Sequence, residues 1–470
     1  MKILFAASEA VPFMASGGLA DVAGALPKAL CAAGHDCRVV MPLYGDIAPS
    51  LREGLVRVAE FQVPLAWRSQ YCGVWKGQVG PVTYYLIDNE YYFKRPGLYG
   101  FFDDGERYAY FSKAVLEMIQ YLDFAPEIIH CNDWQTGMIP LYLELYYRPV
   151  PACREIKTVY TIHNIGYQGQ FGMDMASDVL GIPYYAMGKV EYRGDVNLMK
   201  AGIEGANAVT TVSPTYAQEL LDPWYAHGLD EFLRQRQYKL TGILNGIDTD
   251  SYNPQTDPAL TVHYNAKQLA GKARNKRQLT EELGLSGEEM LVGMVTRFAS
   301  HKGLDLVRYI CEEMLVKEPV NLVILGTGEY EYEEFFCWMQ RQYPGRVSVQ
   351  LGFVPQMARR IYAASDAFLM PSKSEPCGLS QMVALRYGSL PIVRETGGLK
   401  DSITDMGRPD GNGYTFQSYN AHDMLGAVRR ACGDYADPKG WAQKVRHAME
   451  CDFSWNRSAK TYLDLYRSLL

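Results

Sequence analysis

Residues 2–34 read KILFAASEAVPFMASGGLADVAGALPKALCAAG. A short apolar run opens the stretch, a loop with the pair Gly17-Gly18 follows, and an Ala- and Leu-rich run with helical character closes it. Strand, glycine loop and helix together begin a β-α-β unit. Glycines permit close backbone approach, and a helix N-terminus points free N–H groups at an anion. Yet MASGGLAD, residues 14–21, contains no lysine or arginine, so a bound anion must find its countercharge elsewhere. The loop is neither a P-loop, since no Gly-Lys-Ser/Thr follows, nor a GxGxxG dinucleotide loop. An ordinary strand–helix turn is the competing reading.

The same rhythm continues along the chain. Strand candidates are KILFAAS, CRVVMPL, VTYYLID, EIIHC, KTVYTIH and AVTTVS in the first half, then LVGMVTR, NLVILG, VSVQLGF, AFLMPS and LPIVRE in the second. They are rich in Val, Ile and Leu, as strands covered on both faces are, and helical stretches separate most of them. The rhythm breaks between about Asn245 and Lys276, where NGIDTDSYNPQTDPAL is polar and turn-forming. The boundary is therefore placed near Gly246. The fold class expected is α/β, with two Rossmann-like domains facing one another across a cleft and ligands at the carboxyl ends of strands.

Composition narrows the function. A hydrophobic content of 48% and a charged content of 21% suit a globular protein, and the net charge of −7 disfavours nucleic acid or anionic membrane as partners. No apolar run is long enough to span a bilayer, and MKILFAASEA reads as a first strand rather than a secretory leader, so a cytoplasmic location is expected. The ten cysteines form no CxxC pair, which argues against a zinc ribbon or a thioredoxin motif.

Chemistry-bearing residues recur after strands. In VTRFASHKGLDLV, residues 295–307, Arg297 and Lys302 flank a strand end and a helix start, an arrangement suited to a diphosphate or to a plain solvated basic loop. In PSKSEPCGLSQMVALRYG, residues 371–388, Glu375 either accepts hydrogen bonds from sugar hydroxyls or caps a helix. His163 and Asn164 end the strand in TVYTIHNIGYQG, and Asp133-Trp134 follow the strand ending HCN. SGGLAD at 16–21 and TGGLKD at 396–401 are look-alikes, by chance or because the two loops do similar work.

Taken together, SGGLADVAGALPKAL, DNEYYFKRPGLYG, TIHNIGYQG, MKAGI, TTVSPTYAQEL, GILNGID, TRFASHKGLDL, LGTGE, PSKSEPCGLSQ and VRETGGLKD, in this order over nearly the whole chain, resemble the glycogen and starch synthase family of GT-B retaining glucosyltransferases. The resemblance implies transfer of glucose from ADP-glucose to the non-reducing end of an α-1,4-glucan or glycogen. It implies an N-terminal domain over residues 1–246 on the acceptor side, completed by a final helix within 456–470 that crosses back, and a donor domain over 247–455. Arg297 and Lys302 would grip the diphosphate, His163 would contact the glucose and Glu375 its hydroxyls. Donor binding would also involve the loop at Ala15, Gly17 and Gly18, then Asp133, Asn245, Cys377, Gly378, Thr396, Gly397 and Gly398. Tyr91, Tyr92 and Tyr99 are the acceptor candidates. No metal and no pyridoxal phosphate is expected, because the two cations can stabilise the charge that builds on the leaving group. Asp248-Thr249-Asp250 has the form of a metal-binding DxD but is read as a turn. The resemblance also implies domain closure on the donor and a front-face displacement.

The sequence departs from the family at three places. Ala15 stands where the usual Lys-x-Gly-Gly-Leu has lysine, Asn132-Asp133-Trp134-Gln135 replaces His-Asp-Trp-His, and Val383 occupies the position of a second glutamate found in many GT-B enzymes. A weakened or non-catalytic glucan-binding relative, a GT-B glucosyltransferase with a small acceptor, and a phosphorylase with lysine-bound cofactor are the alternatives.

Overall fold

A computed structural model describes residues 1–470. The chain divides into two compact units. Unit 1 contains residues 1–212, 217–245 and 455–470, and unit 2 contains residues 213–216 and 246–454.

The strands of unit 1 are β1 Lys2–Ala6, β2 Asp36–Pro42, β3 Val56–Leu65, β4 Arg68–Val79, β5 Val82–Asp88, β6 Ile128–Asn132, β7 Lys157–Ile162, β8 Gln170–Phe171, β9 Glu191–Tyr192, β10 Asp195–Asn197, β11 Ala208–Thr211 and β12 Leu240–Gly242. Nine of them form one sheet in the order β12-β11-β7-β6-β1-β2-β5-β4-β3, and the other three make a small separate sheet. From β12 to β5 every pairing is parallel, whereas β4 pairs antiparallel with both β5 and β3. The hairpin β3–β4 is the main departure from the all-parallel expectation. Its first strand exposes alternate residues and carries a register shift between Arg57 and Ala59, so it lacks the continuous apolar run of a doubly covered strand.

Unit 2 is simpler. Its strands are β13 Met290–Val295, β14 Val320–Gly326, β15 Val347–Leu351, β16 Ala367–Met370, β17 Leu390–Arg394 and β18 Tyr414–Phe416. They form one parallel sheet in the order β15-β14-β13-β16-β17-β18. β14 is buried along its whole length, and Leu279, Leu291, Val323, Leu325 and Ile361 belong to one apolar cluster against it. Residues 213–216, expected in the first domain, belong to this unit. Thr215 donates to Asp401 from both its N–H and its Oγ at 2.7 Å, and Ser213 Oγ donates to the Pro376 carbonyl at 2.6 Å.

In both sheets the strand order reverses beside the first strand. β1 lies between β6 and β2, and β13 lies between β14 and β16. Loops leaving the carboxyl ends of such strands splay apart and leave room for a ligand.

The final helix, Trp455–Leu469, belongs to unit 1, as the resemblance implies. It packs on the first helix, α1 Gly18–Ala32, and buries Trp455, Ala459, Tyr462, Leu463 and Tyr466. A polar chain ties it to the sheet. The Tyr466 hydroxyl lies 2.7 Å from His130 Nδ1, His130 Nε2 lies 2.6 Å from Thr161 Oγ1, and Thr161 Oγ1 lies 2.5 Å from Thr210 Oγ1. Burial pushes the His130 imidazole down to about 3, so it is neutral and needs one donor and one acceptor. Tyr466→Phe strands a buried ring nitrogen and is expected to destabilise unit 1 by roughly 1–3 kcal/mol. The exposed neighbour change Arg467→Ala should cost less than about 0.5 kcal/mol. Urea unfolding of the two variants checks the difference, and equal midpoints would contradict the assigned chain.

Candidate active site

Unit 1 gathers its polar groups at the carboxyl ends of β1, β6 and β7. After β1, Ser8 Oγ meets the Tyr99 hydroxyl at 2.7 Å, and the buried Glu9 carboxylate accepts the Ser16 N–H at 2.5 Å. That last bond folds the loop back and sets the start of α1. Gly17 is extended and no side chain caps the helix. Ala15, Gly17 and Gly18 are all exposed, and a Cβ built on Gly17 or Gly18 would meet no atom within 4 Å. The chain itself therefore does not require these glycines. Burial raises the Glu9 carboxyl above its ordinary range, and neither Glu9 nor Asp133 makes an ion pair.

After β6, Asp133 has φ 56° and ψ −179°, a region otherwise left to glycine, at a cost of about 1–3 kcal/mol. What fixes it is the next loop. Its carboxylate accepts the His163 N–H at 2.8 Å and faces the Asn164 N–H at 3.5 Å, while its own N–H donates to the Thr161 carbonyl. Desolvation pushes the Asp133 carboxyl up to about 7. Trp134 packs its ring against Tyr108 and Phe171 and supports the turn from below. His163 is half-buried, neutral, and pushed down to about 3 by the same desolvation. Its Nε2 lies 2.8 Å from Asn132 Oδ1. Asn245 is 5% exposed, and its side-chain oxygen has no partner in the chain.

Unit 2 supplies the positive charge. Arg297 follows β13 and is exposed, and although its carbonyl accepts from Thr296 Oγ1 at 3.2 Å, its guanidinium makes no hydrogen bond or ion pair. Lys302 closes the same loop, and its Nζ donates to Glu375 Oε2 at 2.7 Å. Ser372 Oγ donates to that same oxygen at 3.0 Å, and Glu375 is 7% exposed. The two groups expected to touch phosphate and sugar separately are thus an ion pair. Behind them, Gln381 Nε2 donates to the Cys377 and Gly378 carbonyls at 3.0 and 2.9 Å and to Ser402 Oγ at 3.1 Å, clamping the Glu-Pro-Cys-Gly turn. Val383 is buried in the following helix, so no second acid stands there.

Two expectations need correcting. The Gly398 N–H donates to the Glu375 and Pro376 carbonyls at 3.1 Å, and the Thr396 N–H to the Arg394 carbonyl at 2.9 Å. These two amides are spent inside the chain and are not presented to a phosphate. A Cβ on Gly397 would lie 1.9 Å from the Glu375 carbonyl oxygen, and one on Gly398 2.0 Å from that of Cys377. TGGLKD is therefore a packing element under the Glu375 turn, unlike its look-alike SGGLAD. Tyr92 is fully buried, and its hydroxyl donates to Glu106 Oε1 at 2.6 Å, so it cannot meet an acceptor. Tyr91 is 66% exposed with Arg95 over its ring, and Tyr99 is half-buried with its hydroxyl on Ser8. Asp248 Oδ1 accepts the Asp250 and Ser251 N–H groups at 3.0 and 3.1 Å, the turn that was expected of this DxD. Glu9 and Gln381 were missed, and Asn132 was read only as a departure from the family, although Glu9 and Asn132 are polar residues at the ends of apolar strands.

Two family models cover most of the chain: the starch synthase catalytic domain matches residues 2–235 and the glycosyl transferases group 1 domain matches residues 275–448. A glycogen synthase of Bacillus cereus is 50% identical, with both chains covered completely. One from Geobacillus thermodenitrificans is 49% identical, with all of this chain and 98% of that one covered. Among solved structures, the catalytic domain of starch synthase IV from Arabidopsis thaliana, bound to ADP and acarbose, superimposes with a TM-score of 0.90 at 35% identity, covering 100% of this chain and 99% of that one. Sucrose-phosphate synthase from Thermosynechococcus elongatus shares the fold, with a TM-score of 0.64 at 17% identity, over 100% of this chain and 98% of that one. Two α/β units with functional groups at strand ends, matched along the full length by these relatives, leave one assignment: the chain belongs to the glycogen and starch synthase family of glycosyltransferases.

Proposed function

We propose that this protein transfers glucose from ADP-glucose to the non-reducing end of an α-1,4-glucan such as glycogen, with retention at the anomeric carbon. The observation that carries the reading is the cluster of Arg297, Lys302 and Glu375 at the carboxyl end of the parallel sheet in unit 2. The starch synthase relative bound to ADP supports the choice of nucleotide.

The chemistry follows from where charge builds. As the glycosidic bond to the diphosphate breaks, the sugar becomes oxocarbenium-like and the diphosphate gains negative charge. Fixed cations aimed at the departing oxygens lower that barrier, each typically by 10²–10³-fold in rate. Arg297 is available without breaking any bond, whereas Lys302 exchanges part of its contact with Glu375 for phosphate. Glu375 Oε1 is left to accept a sugar hydroxyl. These cations do the work for which a metal ion is used elsewhere, so no metal or cofactor is invoked. Within unit 1, the unpaired oxygen of Asn245 and the exposed, uncapped start of α1 are further groups able to bind a polar ligand. Tyr91 and Tyr99 serve the acceptor.

Incubation with radiolabelled ADP-glucose and glycogen tests the reading. Label is expected in polymer, releasable by an α-1,4-specific glucosidase, in the presence of EDTA and with ADP-glucose favoured over UDP-glucose. Glucan binding without transfer would replace it with a non-catalytic role.

Asp133 yields a separate prediction. Its carboxyl has a folded value of about 7 against an ordinary 3.8, so the stability it lends below pH 4 is lost as pH rises through 7. Asn is close to Asp in shape and in its tolerance of positive φ, and it carries no charge. Asp133→Asn is expected to raise the unfolding midpoint, by an increment near zero at pH 4 that grows to a plateau above pH 7, while transfer activity falls at least tenfold. Thermal unfolding across pH 4–8 measures it, and an increment flat in pH would contradict the desolvated carboxylate.

A further inference from the structure

His163 has two ring nitrogens, and only one has a partner in the chain. Nε2 faces Asn132 Oδ1 at 2.8 Å, and Nδ1 accepts from no group of the protein. The other end of the Asn132 amide lies 3.0 Å from the Ala6 carbonyl oxygen and 3.3 Å from that of His130. Carbonyl oxygens only accept, so the amide atom facing them must be the NH2 group, and the atom facing His163 must be the oxygen. That oxygen also only accepts, so His163 Nε2 must carry the hydrogen. The amide cannot rotate out of this arrangement, because Asn132 is fully buried at the end of β6. Its own N–H is also fixed, donating to Thr136 Oγ1 at 2.6 Å.

We propose that Asn132 is a positioning residue that locks His163 as the Nε2–H tautomer and thereby makes Nδ1 a hydrogen-bond acceptor for a hydroxyl of the substrate sugar. The tautomer of a neutral histidine is set by the bond that its other nitrogen makes, and here that bond reaches through one side chain to the main chain of β1. His163 then takes part as an acceptor. It holds no proton at Nδ1 to give, and it does not act as a general acid. Its main-chain N–H is fixed independently by Asp133, so ring and backbone are anchored from two consecutive residues, Asn132 and Asp133. The usual His-Asp-Trp-His has an imidazole at the Asn132 position. A neutral imidazole also offers one acceptor and one donor, but either of its nitrogens can carry the hydrogen, whereas the amide oxygen of Asn132 can only accept. The charged or titratable groups around the ring are the Asp133 carboxyl, which faces its N–H, and the neutral His130 imidazole on β6.

The role in sugar recognition rests on the proposed transferase function, but the tautomer does not, and the experiment separates them. The full-length protein is labelled with 15N-histidine. Two-bond 1H–15N spectra are recorded between pH 5 and 9, with His163 identified among the eight histidines by His163→Gln. The wild type should show one His163 species, with a protonated Nε2 and a bare Nδ1, unchanged over that range. Asn132→Ala should give a mixture of tautomers and lower kcat/KM for donor by about 10- to 100-fold. Asn132→Asp places a carboxylate on Nε2 and should bring a His163 titration into the window. As imidazolium its Nδ1 no longer accepts, so kcat/KM should gain a new limb falling toward low pH. A wild-type His163 protonated at Nδ1, or titrating above pH 5, overturns the proposal. So does an Asn132→Ala protein that keeps both the single tautomer and full kcat/KM. A wild type with the expected tautomer but no glucosyl transfer removes the sugar-accepting role together with the proposed function, and leaves only the tautomer lock.

Discussion

In both units the first parallel strand is flanked by neighbours whose connecting loops run in opposite directions. β1 lies between β6 and β2, and β13 between β14 and β16. Strand ends near such a point are where polar side chains can gather. Ser8, Glu9, Asp133 and His163 lie past the ends of β1, β6 and β7 in unit 1, and Arg297, Lys302 and Glu375 past those of β13 and β16 in unit 2; of these only Arg297 is exposed. The buried strands that hold them are apolar and satisfied by their own ladders, so the polar groups at their ends are positioned by rigid elements rather than by flexible loops.

The two units differ in the charge they carry at their strand ends. Unit 1 offers neutral or acidic groups: a neutral imidazole, a carboxyl raised to about 7, the raised Glu9 and an uncapped helix start beside Ala15. Unit 2 carries the cations, one paired with Glu375 and one unpaired. The lysine absent at Ala15 is therefore not replaced by another cation in the same loop. Asp133 bears the cost of the unit 1 arrangement twice, in a strained backbone and in a desolvated carboxyl, and both are held by the His163 loop. Such local conflict is the expected mark of a functional position.

Much of this was legible in the chain. Eleven apolar runs read as strands each contain one, with ends differing by one or two residues, because doubly covered parallel strands leave a continuous apolar signature. The hairpin β3–β4 left none, since its half-exposed edge alternates and bulges. Arg297, Lys302, Glu375 and His163 were visible because charged or polar residues interrupt apolar runs at strand ends. Other features depend on neighbours distant in sequence. SGGLAD and TGGLKD read alike, yet only the second has main-chain carbonyls where a Cβ would stand. Tyr91 and Tyr92 are adjacent, yet one faces solvent and the other Glu106. The dihedral of Asp133 and the amide orientation of Asn132 exist only once β6 and β7 are paired.

The most direct test of this account is the affinity of ADP, measured by titration calorimetry at two salt concentrations for the wild type, Arg297→Ala and Ala15→Lys. If unit 2 supplies the charge that holds the diphosphate, Arg297→Ala should weaken binding by at least about tenfold and flatten its salt dependence. Ala15→Lys should tighten binding by roughly three- to tenfold, as an added exposed cation does. Unchanged ADP affinity in Arg297→Ala would contradict the central claim.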